Sequence, residues 1–347
     1  MNFRTPICDL LDIEYPIFCA GMGGNTMAPL AGAVSKAGGL GTLGATFCTP
    51  EQLREEIAEV RRITDKPFGV GLLIPGDIAP DLSAREIPPF PEFLRDLLDE
   101  VKDLKGNRLP PLTIELARAQ LKVALDARVP LLVSGLGTPK WLVEECHRVG
   151  TKVLSMVGSV RNAKRVAAMG VDIVVAQGTE AGGHVGNVST MVLVPQVVDA
   201  VNVPVLAAGG IVDGRGIAAA LMLGAQGAWI GTRFLATEEA TTHENNKKQM
   251  VDADEDSTVV SRAYTGKPSR VLRNRFTDKW RGHETELLPM PWQRIWMEPV
   301  VVGAKTAGRL DIANYPAGQG VSAIRDIPKA ADLYRRLVDE TQSLLRK

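Results

Sequence analysis

The sequence predicts a closed (β/α)₈ barrel, the TIM-barrel fold, on three observations. Eight short apolar runs alternate with segments of helical pattern. The runs are continuous rather than alternating, as strands of a parallel sheet covered by helices require. Glycine clusters recur at the C-terminal ends of those runs, the face on which this fold carries its active sites.

The first strand is expected over Pro16 to Met22, with a helix from Thr26 to Ala37. Gly39 to Leu43 is the second, followed by the charged amphipathic helix Glu51 to Ile63. Phe68 to Ile74 is the third. Pro130 to Ser134, with helix Pro139 to Val149, is the fourth, and Lys152 to Met156, with helix Val160 to Met169, the fifth. Val171 to Val175 is the sixth. Val203 to Ala207, with helix Gly214 to Leu223, is the seventh, and Gln226 to Ile230 the eighth.

Two segments depart from the repeat. An insertion rich in proline and charge, 75–111, follows the third strand and carries one helical pattern, Pro91 to Leu104. An insertion of this length serves either as a lid or substrate-binding element or as a solvated decoration. After the eighth strand comes a polar helix, Glu238 to Ala253. The stretch from Ser261 to Gly320 then reads as irregular, with Trp280, Trp292, Trp296, Tyr264 and Tyr315, and could fold over the barrel mouth. Ile327 to Leu345 is an amphipathic closing helix. These tryptophans are read as packing residues or as an apolar wall over the site.

Composition narrows the function. The 347 residues are 45% hydrophobic, enough for a large core, and 40 basic side chains balance 40 acidic ones. That balance gives no basic stripe for nucleic acid and no polybasic segment for a membrane. No signal-peptide core or membrane-length apolar run is present, so a cytoplasmic protein acting on a small molecule is expected. Cys8, Cys19, Cys48 and Cys146 are scattered without metal-ligand spacing, so no metal site is expected.

Chemistry points to the strand ends. Gln177 to Gly186 holds four glycines within nine residues, around Glu180 and His184. Glycine lets backbone N–H groups come close to a ligand, and histidine titrates near neutral pH. Gly21-Met22-Gly23-Gly24 ends the first strand, Ala208-Gly209-Gly210 the seventh and Gly231-Thr232-Arg233 the eighth. Loops after strands seven and eight build the usual phosphate site of this fold. Backbone amides of Gly209, Gly210, Gly231 and Thr232 could form it, with the Thr232 hydroxyl as a further donor. A phosphate site beside an apolar rim suits FMN, a sugar phosphate or pyridoxal phosphate. The last needs a strand-end lysine, which no strand end supplies convincingly, so flavin ranks higher. Asp213 reads as the N-cap of the helix at Gly214. Glu180 reads as either loop brace or catalytic group, and Arg233 as partner of a phosphate or of a core carboxylate.

These stretches, with Ala33 to Gly41, Ala207 to Gly216 and Ala317-Gly318-Gln319-Gly320, resemble the FMN-dependent nitronate monooxygenase family, also called the 2-nitropropane dioxygenase family. That family also includes FMN-dependent enoyl-thioester reductases and NAD(P)H:quinone reductases. The resemblance implies FMN, with Gly21, Met22 and Gly23 by the flavin ring and Gln177, Gly182 and Gly183 against the cofactor. Gly209, Gly210, Gly231 and Thr232 would hold its phosphate, and His184 would be the catalytic residue beside the flavin. It implies oxidation of alkyl nitronates with O₂. The alternative is NAD(P)H-dependent reduction of an enoyl thioester or a quinone, and a homodimer is compatible with either. Residues 1–236 with 320–347 would form the FMN-binding barrel, and 237–319 a substrate-side segment.

Two departures stand out. Gly69-Val70-Gly71-Leu72 replaces the family's Gly-Val-Asn-Leu after strand three. Ser134-Gly135-Leu136-Gly137-Thr138-Pro139 replaces a stretch with the catalytic histidine of typical members, and looks closer to the enoyl-reductase branch.

Overall fold

The computed structural model describes residues 3–74, 86–102, 113–135 and 137–346. Eight parallel strands close on themselves. They are β1 (Ile17–Cys19), β2 (Leu40–Gly44), β3 (Gly69–Leu73), β4 (Leu131–Gly135), β5 (Lys152–Val157), β6 (Ile173–Gln177), β8 (Val205–Ala208) and β9 (Gly227–Ile230). The barrel closes by β9 pairing with β1, Phe18 opposite Trp229. This is the (β/α)₈ barrel expected. Alternate side chains such as Phe18, Leu131, Val133, Ile173, Val175 and Trp229 fill the interior. Ile7, Cys8 and Leu11 of the short helix Pro6–Leu11 belong to that same cluster, so the helix contributes to the barrel's inner core.

A second, antiparallel sheet stands outside the barrel. Its order is β10 (Thr258–Ser261), β11 (Ser269–Leu272) and β7 (Gly183–His184). The expectation of an irregular 261–320 is corrected here. That stretch contains β11, the short helix Arg275–Lys279 and the fifteen-residue helix Trp292–Thr306. The helix Thr190–Ala200 was also unread. Both longer helices contain an internal proline, Pro299 and Pro195, which the eye takes as a helix breaker. Helix Ile114–Asp126 was missed despite a plain signal: Thr113 accepts from the Leu116 amide, and Ala117, Leu121 and Ala124 bury one face.

Around β7, β10 and β11 lies a second apolar core, distinct from the one between barrel and helices. It takes Leu94, Leu97 and Val101 from the insertion and Tyr264, Phe276, Trp280, Trp296, Met297 and Val300 from the C-terminal part. Trp280 meets Trp296 edge to face at 6.0 Å. The described piece of the insertion is therefore packed rather than a solvated decoration. The rest of it, 75–85 and 103–111, lies outside the described residues, as does Leu136. Trp280 and Trp296 are packing residues of this cap, and Trp292 lies partly buried against them.

Among the described residues no helix is long and apolar enough to cross a membrane, and no three His, Cys, Asp or Glu side chains gather as metal ligands. All four cysteines are buried and free. Burial pushes the Cys48 thiol up to about 11 and the Cys146 thiol up to about 12, far from the reactive thiolate range.

Candidate active site

The strand-end glycine clusters converge on the C-terminal mouth because all eight barrel strands are parallel. Gly21-Met22-Gly23 leaves β1, Gln177 ends β6, Gly209-Gly210 leaves β8 and Gly231-Thr232 leaves β9. Met22, Met156, Gln177 and His184 are half-exposed there, on a barrel that is otherwise tightly buried.

Gly209 (φ 111°) and Gly210 (φ 71°) have positive φ, a backbone that a side chain rarely adopts. None of the amides of Gly209, Gly210, Gly231 and Thr232 donates a hydrogen bond to a described residue. Backbone N–H groups left without partners on one rim form an anion-binding concavity. Room is available before them. A Cβ on Gly231 would meet nothing nearer than Met22 Sδ at 3.5 Å, and one on Gly210 nothing nearer than Glu180 Cβ at 3.6 Å. The Thr232 hydroxyl accepts from the Gly318 amide at 2.9 Å and keeps its own proton to donate. These residues fit a phosphate group.

The β6 loop is built differently. Glu180 accepts from the Thr190 amide and, at 2.8 Å, from its hydroxyl, which fixes the start of helix Thr190–Ala200. That is the bracing role among the two read for it. Gly182 lies against protein: a Cβ there would come within 2.8 Å of the Ala317 carbonyl carbon and 2.9 Å of Gly318 N. Gly183 and His184 then pair with Arg270 and Ser269 of β11. Gln177 Nε2 donates to the His184 carbonyl at 2.6 Å, tying the strand end to the same edge. Arg270 Nε donates to the Thr179 carbonyl at 3.0 Å.

His184 Nε2 lies 3.0 Å from Thr265 Oγ1. Burial, and then the positive charges of Lys267 and Arg294, lower its pKa to about 4. At neutral pH it is an uncharged imidazole that can donate at one nitrogen and accept at the other. Sequence reasoning assigned no site role to Thr265, Lys267 or Arg294, all in the stretch read as irregular. Arg233 is buried and pairs at 2.7 Å with Asp326, a half-exposed carboxylate rather than the core one read as its alternative partner. Asp213 caps its helix as expected, accepting from Arg215 and Gly216 amides. The other histidines are held elsewhere: His147 by Asp172, His243 by the Asn245 amide and His283 by Glu286 and the Phe93 ring.

The two departures have local accounts. Gly71 lies beside Gly21, and a Cβ on it would stand 3.1 Å from the Leu43 carbonyl oxygen. At the end of β4, Ser134 donates to the Gly137 carbonyl, and Thr138 shares a 2.7 Å hydrogen bond with Ser155 of β5. The polar groups at that position satisfy one another.

Fold and mouth together place the chain among (β/α)₈-barrel enzymes. The nitronate monooxygenase family pattern matches residues 4–340. The chain is 39% identical to a Mycobacterium tuberculosis protein that carries a monooxygenase name, over 97% of this chain and 96% of that one. It superposes with TM-score 0.87 on the nitroalkane oxidase of Streptomyces ansochromogenes, at 33% identity and 99% coverage of each. FabK from Thermotoga maritima gives 0.80 at 36% identity, covering 99% of this chain and 97% of that one. The chain belongs to the nitronate monooxygenase family, a family of flavin-dependent oxidoreductases.

Proposed function

We propose that this protein is an FMN-dependent nitronate monooxygenase that oxidises alkyl nitronates with O₂. The observation that carries the reading is the environment of His184. A histidine with a pKa of about 4 is a feeble base at neutral pH. A substrate that must lose a carbon-bound proton would be poorly served by it. A nitronate has already lost that proton and arrives as an anion, which the positive charges of Lys267 and Arg294 favour.

The chain's own residues divide the work. The amides of Gly209, Gly210, Gly231 and Thr232 would hold the FMN phosphate, and Gly21, Met22, Gly23, Gln177, Gly182 and Gly183 would border the rest of the cofactor. Bound FMN would supply the redox chemistry, taking electrons from the nitronate and returning them to O₂. His184 would orient the substrate by a hydrogen bond, with Thr265 fixing the ring.

A second reading, NAD(P)H-dependent reduction of an enoyl thioester or quinone, is favoured by the strand-four end. There Ser134, Thr138 and Ser155 stand without a histidine, and the likeness to FabK falls on the same side. Anaerobic mixing of the purified flavoprotein with propionate-3-nitronate, NADH and NADPH separates the two. Bleaching of the flavin by the nitronate is expected. Bleaching by a nicotinamide and not by the nitronate would overturn the monooxygenase reading.

A further inference from the structure

Arg294 stands apart from the other enclosed arginines. Arg233 pairs with Asp326, and Arg270 donates to the Thr179 carbonyl and the Thr258 hydroxyl. Arg294 is half-buried, yet none of its N–H groups donates to a described residue. A guanidinium partly withdrawn from water, with no acceptor supplied by a described residue, keeps its fork of donors available to an incoming one.

Its position says what kind. The guanidinium carbon lies 5.3 Å from the centroid of the Phe47 ring. Phe47 follows β2, in a turn held by Gln120, whose Nε2 donates to the Cys48 carbonyl at 2.7 Å. The same ring borders Gly23, where a Cβ would come within 3.0 Å of it. The Arg294 charge also acts on His184, just beyond β6. β2 and β6 stand on opposite sides of the closed strand order. Arg294 therefore reaches from the cap over the mouth itself. The carboxylate acting on it is Glu298, one turn further along its own helix and not hydrogen-bonded to it. Lys267, exposed on the turn before β11, adds a second positive charge toward His184.

Resting on the reading that the mouth takes a small anion, we propose that Arg294 is a substrate-binding residue that receives a planar oxyanion, nitronate or carboxylate, with Lys267 adding charge at the same rim. Both groups present two oxygens on one sp² centre, and the guanidinium fork matches that geometry with two parallel N–H donors. The Phe47 face beneath it favours the cation and keeps the fork in place.

The test uses acetate and nitromethane, which are close in shape and differ in charge. Each is titrated against the purified flavoprotein and followed by flavin absorbance, with nitrate as a second anion. Acetate and nitrate should bind the wild type about tenfold or more tighter than nitromethane, as charge-assisted hydrogen bonds imply. Arg294→Gln should remove that preference and leave nitromethane unchanged. Arg294→Lys should restore part of it, because an ammonium supplies charge without the fork. The His184 inflection should also move up in Arg294→Gln, since one of the charges that lowers it is gone. Flavin content and melting temperature are read on each variant, and Arg294→Lys decides should the glutamine variant fail to fold. Equal affinity for acetate and nitromethane in the wild type, or acetate affinity retained in both variants, overturns the proposal. A wild type that binds acetate through Arg294 but is not bleached by nitronate loses the monooxygenase reading and keeps the anion site. Bleaching without any effect of Arg294 on acetate does the reverse.

Discussion

The two glycine-rich sides of the mouth are alike in composition and opposite in construction. On the barrel side, Gly209, Gly210, Gly231 and Thr232 carry amides that no described residue engages. On the cap side, Gly182 packs against Ala317 and Gly318, and Gly183 and His184 are sewn to β11. Glycine makes close approach possible in both places, but the surroundings differ: Gly210 and Gly231 have open space before them, whereas Gly182 has protein backbone on its Cβ side. Glycine content locates a mouth; the free amides of Gly210 and Gly231, together with the space before them, mark the part suited to an anion.

The sharpest way to break that distinction is to fill the barrel side. Gly210→Asp puts a carboxylate among the four amides; a Cβ has space there, and the φ of 71° adds local backbone strain. The expected outcome is loss of FMN, with affinity reduced more than about a hundredfold through repulsion of the phosphate and crowding. Purification with a full complement of flavin would refute the phosphate placement. The barrel itself should persist, since Gly210 is exposed and outside the strands.

His184 lies on the seam between the two sides. His184→Gln should keep FMN bound and lower kcat by about ten- to a hundredfold, the range for one hydrogen bond to a charged group. The wild-type kcat profile should show no His184 inflection near 6.5 and a fall near pH 4, where the imidazole protonates. The sign for stability follows. The folded pKa lies below the unfolded one, so the unfolded chain binds the proton first, and stability drops as pH falls from 6.5 toward 4. An inflection near 6.5 that disappears in His184→Gln would show an imidazole far more exposed to water than the structure places it.

These two sides also show what sequence can and cannot reveal. The barrel strands were legible because each is a short apolar run whose neighbours in sequence are its neighbours in space, and Val171 to Val175 and Gln226 to Ile230 were read within a few residues of their observed bounds. The cap was not, because its core joins Leu94 and Leu97 to Trp296 and Val300 across some two hundred residues, and no local period encodes that meeting. Pro299 further disguised the helix that carries Arg294. Thr265 and Lys267 carry no site role in the sequence reading: their relation to His184 depends on the pairing of β7 with β11, two residues long on one side. The rim glycines were visible, yet which of their amides are free is a property of the folded hydrogen bonds.

The cap side has its own test. At Gly182 an added methyl would stand 2.8–3.0 Å from backbone atoms of Ala317 and Gly318, which have no rotamer by which to yield. Gly182→Ala should therefore cost about 1–3 kcal/mol of stability, as overpacking does. Thermal unfolding of the flavoprotein should show it, together with a change at the Ala317–Gly318 backbone. A variant that unfolds as the wild type does would mean that this loop yields freely and that the contrast between the two sides is overstated.

The smallest effect concerns how the insertion is fastened to the cap. Glu100 bonds to Arg275 at 2.8 Å and to Arg309 at 2.5 Å, and both arginines also meet Asp311. Hydrogen bonds from Arg275 and then Arg309 hold Glu100 down to about 2, and those from Arg309 and Arg275 hold Asp311 down to about 2 despite some opposing burial. These groups are largely solvated, so screening leaves the pairing worth under about 1 kcal/mol. The apolar contacts of Leu94, Leu97 and Val101 carry the rest of the attachment. Glu100→Gln should thus lower stability slightly at neutral pH and less in high salt. Because the folded pKa lies below the ordinary 4.5, the contribution is full above 4.5 and is lost as pH falls toward about 2. The melting curves of wild type and variant should therefore converge in acid. A gap that stays constant with pH and salt would mean that Glu100 acts through packing, and that the insertion is held by shape rather than by charge.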